Sequence, residues 1–151
     1  MIKIICIGKK HEAIYEPAIA HFEARLKHHT KLVWSILPHS AHDGELARKE
    51  ESKNILAVVK PSEFVILLDE KGTSSTTPEL ASIIDRSQYS SQDICIVIGG
   101  AYGVDETVSY RANCTISYGK AVFPHQLIRL MVVEQLYRAY SILAGSSYHH
   151  S

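Results

Sequence analysis

The chain is predicted to be an α/β protein built on a mostly parallel sheet, and three observations predict it. β-favouring apolar runs recur at Ile2–Gly8, Lys31–Leu37, Phe64–Leu68, Ile94–Ile98 and Cys114–Ser117. Helix-like segments separate them, and this alternation calls for crossover connections between parallel strands. The run Ile94-Cys95-Ile96-Val97-Ile98 lacks the apolar–polar alternation of a half-exposed strand, so it reads as covered on both faces.

The first strand is apolar apart from Lys3, and Lys9-Lys10-His11-Glu12 follows as a polar loop. Tyr15–His28 reads as a helix with Pro17 in its first turn. Ile14, Ala18, Phe22 and Leu26 recur at spacings of four and are expected to lie on the sheet. Pro38 ends the second strand, His39–Gly44 is a loop, and Glu45–Lys60 is a second helix. Its charged first half is a solvated face and its second half, Ile55–Val59, docks. The third strand is expected to end at Leu68, leaving Asp69-Glu70-Lys71-Gly72 and the hydroxyl-rich Thr73–Thr77 as loop. A third helix begins at Thr77-Pro78-Glu79 with Thr77 as its cap. Asp105–Arg111 is a short helix, Tyr118–Phe123 an apolar loop, and Pro124 opens the longest helix, which runs to about Ala144.

At 151 residues and 46% apolar, the chain makes a single domain with its own core. Sixteen basic and sixteen acidic residues cancel, so no global charge marks it for nucleic acid. No apolar run reaches the length of a membrane span, and Met1-Ile2-Lys3 opens directly into a strand, unlike a signal peptide. Cytoplasmic residence is expected. Cys6, Cys95 and Cys114 lie in apolar surroundings and are expected to be buried, reduced thiols. His39 and His42 lack partner ligands, so no metal site is expected.

Two places draw attention as sites. Gly99-Gly100, with Gly103, stand at the carboxyl end of a buried strand, where the backbone can turn sharply or approach a ligand closely. A tight strand-to-helix turn with no ligand explains the same glycines. The last helix carries Leu127, Ile128, Leu130, Met131, Val132, Val133, Leu136, Tyr137 and Tyr140 around most of its circumference. One apolar stripe suffices to dock on a sheet, so the surplus predicts a homodimer with this helix in a two-fold interface. His125 and Arg129 share one face near its amino end, where backbone donors favour an anionic or polar group.

Leu68-Asp69-Glu70-Lys71-Gly72, Val97-Ile98-Gly99-Gly100-Ala101-Tyr102-Gly103 and Phe123-Pro124-His125-Gln126-Leu127-Ile128-Arg129 together resemble the ribosomal large-subunit pseudouridine N(3)-methyltransferase family, of the SPOUT class. Glu134-Gln135-Leu136-Tyr137-Arg138-Ala139 and the terminal Tyr148-His149 carry the same resemblance, which spans the whole chain. The family's usual basic residue after Tyr-His is missing; His150-Ser151 stands there. The resemblance implies a five- to six-stranded sheet with a C-terminal trefoil knot around Tyr118–Phe123. It implies S-adenosyl-L-methionine held by Leu68, Gly99, Gly100, Tyr118, Gly119, Lys120, Ala121, Val122 and Phe123. It also implies a dimer whose sites use both subunits, and a pseudouridine of 23S rRNA in the assembled ribosome as substrate.

Methyl transfer from a sulfonium needs alignment and removal of the imide proton. Candidates for proton handling or base recognition are His125, Tyr148 and His149, with Arg129 and Arg138 for phosphate or carbonyl contacts. The tail is expected to fold over the partner's cofactor pocket. Neutral overall charge predicts weak binding to naked RNA, with ribosome shape supplying recognition. The competing functions are a SPOUT enzyme acting on tRNA, a non-catalytic nucleotide-binding domain and a ribosome-binding module.

Overall fold

The computed structural model describes residues 1–150. Along it run β1 (Ile2–Ile7), α1 (Glu16–Leu26), β2 (Leu32–Leu37), α2 (Gly44–Val58), β3 (Phe64–Ser74), α3 (Thr77–Tyr89), β4 (Ile94–Ile98), α4 (Glu106–Arg111), β5 (Cys114–Ser117) and α5 (His125–Leu143). The strands form one five-stranded sheet in the order β2-β1-β4-β3-β5. Every pairing is parallel. No helix among the described residues is long and apolar enough to cross a membrane.

Successive strand residues point to opposite faces, and both faces of the central strands are covered. Ile4, Cys6, Ile66, Ile96 and Ile116 pack with Ile19, Ile84 and Leu136, contributed by α1, α3 and α5. Ile5, Ile7, Val65, Leu67 and Val97 meet Ile55 of α2 and Val108 of α4 on the other side. The chain therefore leaves β1, β3 and β5 toward one face, and β2 and β4 toward the other. β4 lies between β1 and β3, so neighbouring chains diverge at its carboxyl end on both sides. Open α/β sheets bind ligands at such points.

Four expectations are corrected. β3 does not stop at Leu68: the chain bulges at residues 69–72, and Thr73 and Ser74 rejoin the sheet opposite Ile116 and Ser117. Returning there satisfies edge groups of β5 that would otherwise lack ladder partners. Gly72 allows the close approach, since a Cβ there would lie 2.8 Å from the Thr115 backbone. Second, the cap of α3 is Thr76 rather than Thr77. Its hydroxyl accepts from Glu79 N at 3.3 Å while Glu79 Oε2 accepts from Thr76 N at 2.7 Å; this reciprocal box requires the acid three residues after the cap. Thr76→Ala is expected to cost ~1 kcal/mol, read as a lower denaturant midpoint at unchanged slope.

Third, Ile14 precedes α1 and is 77% exposed. The row that meets the core is Tyr15, Ile19, Phe22 and Leu26. Fourth, Cys6 and Cys95 are buried but Cys114 is only half-buried. Burial pushes the Cys95 thiol up to about 12, far from the thiolate that redox chemistry needs.

Candidate active site

A cavity of about 320 Å³ opens at the carboxyl rim of β3, β4 and β5. Three loops and the start of α5 build it. Leu68 and residues 69–71 come from the bulge within β3, Ile98 to Val104 from the end of β4 and its loop, and Ile116, Tyr118, Gly119, Ala121, Val122 and Phe123 from β5 and its loop, with His125 and Ile128 beyond.

The loop after β4 is shaped by its glycines. Gly103 N donates to Gly100 O at 3.0 Å, and Gly103 takes a φ of 73°, a conformation that strains other residues. A Cβ on Gly99 would sit 3.1 Å from Val104 Cγ1, and one on Gly100 would sit 2.5 Å from Glu51 Oε1. The loop after β5 is pinned at its base, where Ser117 Oγ donates to Gly119 O at 2.9 Å and accepts from Gly119 N at 3.0 Å. Between them, burial and then Glu134 push the Tyr118 phenol far up, so it stays neutral.

His125 is the first residue of α5 and is half-buried. Burial lowers its pKa, with Arg129 and His39 adding, against an opposing hydrogen bond to the Gly99 backbone and the Glu51 charge. The imidazole is therefore neutral near pH 7 and free to accept a proton.

Eight of the nine residues expected to hold a cofactor line this cavity; Lys120 is exposed and stands outside its walls. Arg129 is also outside it. The residue is 1% exposed, and its guanidinium grips the turn after β1, Nη1 donating to Lys9 O at 2.8 Å and lying 3.3 Å from His11 Nδ1. Tyr148 and His149 reach no part of the cavity within one chain. Tyr148 Oη donates to Glu134 Oε1 at 3.3 Å, its ring meets Tyr137 at 4.7 Å, and the Arg138 guanidinium lies over it at 4.8 Å. Arg138 itself pairs with Glu134 at 2.6 Å. Among the described residues no cluster of three or more side chains is placed to hold a metal ion.

Residues 69–71 and 101–102 belong to the motifs that carry the resemblance but were not assigned to the cofactor, and Val104 was not singled out. Arg48, which also lines the cavity, comes from α2, whose charged half gives no sign of it.

The geometry therefore offers a glycine-walled, partly apolar cleft with main-chain groups at its rim, suited to a flat heterocycle with polar edges. The family described as predicted SPOUT methyltransferase matches residues 1–149. A ribosomal RNA large subunit methyltransferase H from Caldicellulosiruptor saccharolyticus is 35% identical over 99% of each chain. One of the same name from Lactobacillus acidophilus is 37% identical over 98% of each. A probable methylase family protein from Haemophilus influenzae superposes with a TM-score of 0.58 at 13% identity, covering 99% of this chain and 70% of that one, a likeness of fold alone. By this full-length match the chain belongs to the SPOUT methyltransferase family.

Proposed function

We propose that this methyltransferase uses S-adenosyl-L-methionine to methylate N3 of a pseudouridine in 23S rRNA of the assembled ribosome, working in the cytoplasm as a homodimer. The observation that carries the reading is the glycine cradle of the rim cavity. Gly99 and Gly100 leave no room for side chains on their own flanks, and the Tyr118–Phe123 loop supplies the opposite wall. The threading of that loop as a trefoil knot belongs to the same reading.

Leu68, Gly99, Gly100 and the Tyr118–Phe123 backbone would hold the donor. When bound, it would supply an electrophilic methyl group on positive sulfur, with a neutral thioether as the leaving group. The chain's own task is to exclude water, align the acceptor and receive its imide proton. His125 is the group for the last task, since it lines the cavity in neutral form. The homodimer is supported by a groove on the outer flank of α5, where Leu130 and Met131 face Ala18 and Phe22 without cover.

Calorimetric titration with S-adenosyl-L-methionine and with a nicotinamide dinucleotide, followed by methyl transfer to purified large ribosomal subunits and to tRNA, tests the proposal. Binding of the sulfonium alone and methylation of the subunits alone are expected. Dinucleotide binding, or transfer confined to tRNA, would overturn it.

A further inference from the structure

A second cavity, of about 340 Å³, opens on the other side of β4, over the ends of β1 and β4. It shares Gly100, Ala101 and His125 with the first, so a ligand in one lies against the wall of the other. The chain leaves β1 for α1 on one face and β4 for α4 on the opposite face, which is why the rim is cleft here. Donor binding as read above leaves this crevice unused.

Three observations show that it is built to receive something. Arg129 is 1% exposed and has no carboxylate partner among the described residues; its Nη1 and Nη2 donate to the main-chain carbonyls of Lys9 and Ile7, and its Nε has no acceptor. A buried charge left in this state is costly unless a ligand compensates it. Second, His39 Nε2 and Arg129 Nη2 converge: a Cβ on Gly8 would lie 3.1 Å from one and 3.7 Å from the other, and Gly8 has none. Third, the loop presenting His39 is tethered from beneath. Glu51, 3% exposed, accepts from Ser40 N at 3.0 Å through Oε2, while its Oε1 packs on Gly100 without a partner.

The charges select the ligand. Lys9 and Arg129 face the crevice, but so does Glu12, and Glu51 lies behind Gly100, so a phosphate would meet carboxylates as well as cations. A uracil-type ring brings carbonyl oxygens for the donors without carrying a full charge. The negative charge that grows on those oxygens as N3 loses its proton falls beside the Arg129 guanidinium, which no salt bridge neutralises, and is stabilised there.

We propose that this crevice is the acceptor subsite, holding the uracil-type ring of the nucleotide to be methylated with a ring carbonyl against His39 and Arg129. The assignment rests on the function proposed above and adds where the substrate sits. His125, on the wall common to both cavities, then faces the reacting nitrogen, and Glu51 is a positioning residue for His39.

His39→Ala, a change in an exposed loop, and Arg129→Lys test it by steady-state methyl transfer to large ribosomal subunits, with donor affinity measured in parallel. For His39→Ala the KM for subunits is expected to rise about tenfold, the size of one hydrogen bond to the ring carbonyl already made in the bound substrate, with donor affinity within about twofold. Arg129→Lys is expected to lower kcat more than it raises KM. Unchanged KM and kcat in His39→Ala, or donor affinity lost in step with transfer, would overturn the assignment. If the wild-type protein binds the donor but leaves the subunits unmethylated, the functional reading falls instead. The crevice is then decided by titrating pseudouridine 5′-monophosphate while following the imidazole NMR signals: movement of His39 and His125 but not of His28 and His42 supports the site, and no movement overturns it.

Discussion

Replacing Gly100 by alanine is expected to destabilise the protein by ~1–3 kcal/mol and to weaken donor binding by more than about tenfold. The new Cβ would sit 2.5 Å from Glu51 Oε1 and 3.3 Å from Ile7 Cγ2. Neither neighbour yields cheaply. Ile7, the last residue of β1, is packed in the core, and Glu51 is 3% exposed and holds Ser40 N. Either the carboxylate is driven out, releasing the His39–Ser40 loop, or the Gly99–Gly103 turn lifts and narrows the donor cavity. Combining the change with Glu51→Ala removes the obstacle, so the double variant is expected to be more stable than the sum of the two single losses. Denaturant unfolding reads the first quantity and calorimetry the second. Wild-type stability and affinity in Gly100→Ala would show that the turn has slack which the packing denies.

Most of the fold was legible because burial and element type are written in local pattern. The all-apolar β4 run required two covered faces, and helices α1, α3 and α5 on one side with α2 and α4 on the other supply them. What local pattern could not show was pairing at a distance. Thr73 and Ser74 look like loop, yet they are strand because β5 lies beside them. The same reason hid half of the rim. The rim cavity proposed for the donor is built around a visible glycine cluster, whereas the crevice between β1 and β4 depends on a strand order that brings Gly8, His39 and Arg129 together from separate elements. Taken singly, His39 reads as a lone loop histidine and Lys9 as part of a polar turn. Arg129 was legible as a functional candidate from its place beside His125 but not as a fully buried charge, since arginine is seldom enclosed without a partner.

Ending the chain at Ser147 is expected to lower methyl transfer by more than about a hundredfold while leaving donor affinity unchanged. The tail makes real contacts in the single chain, through Tyr148 on Tyr137, Arg138 and Glu134, so it is placed rather than frayed. Yet both ring nitrogens of His149 are shielded and without a hydrogen-bond partner there. A shielded imidazole with nothing to bind is a costly arrangement, and a surface of the second subunit would relieve it. Neither Tyr148 nor His149 lines either rim cavity of its own chain, so a catalytic use of the tail calls for the proposed dimer. Mixing tests this directly. A tail-less chain is combined with a full-length chain whose donor cavity is closed by Gly99→Leu, where the Cβ alone would crowd Val104 at 3.1 Å. Each variant is inactive by itself. If the tail serves the partner, the mixed dimer pairs an open cavity with an intact tail, and random assembly restores about a quarter of wild-type turnover. A tail acting on its own subunit leaves the mixture as inactive as its components, because no chain then carries both parts.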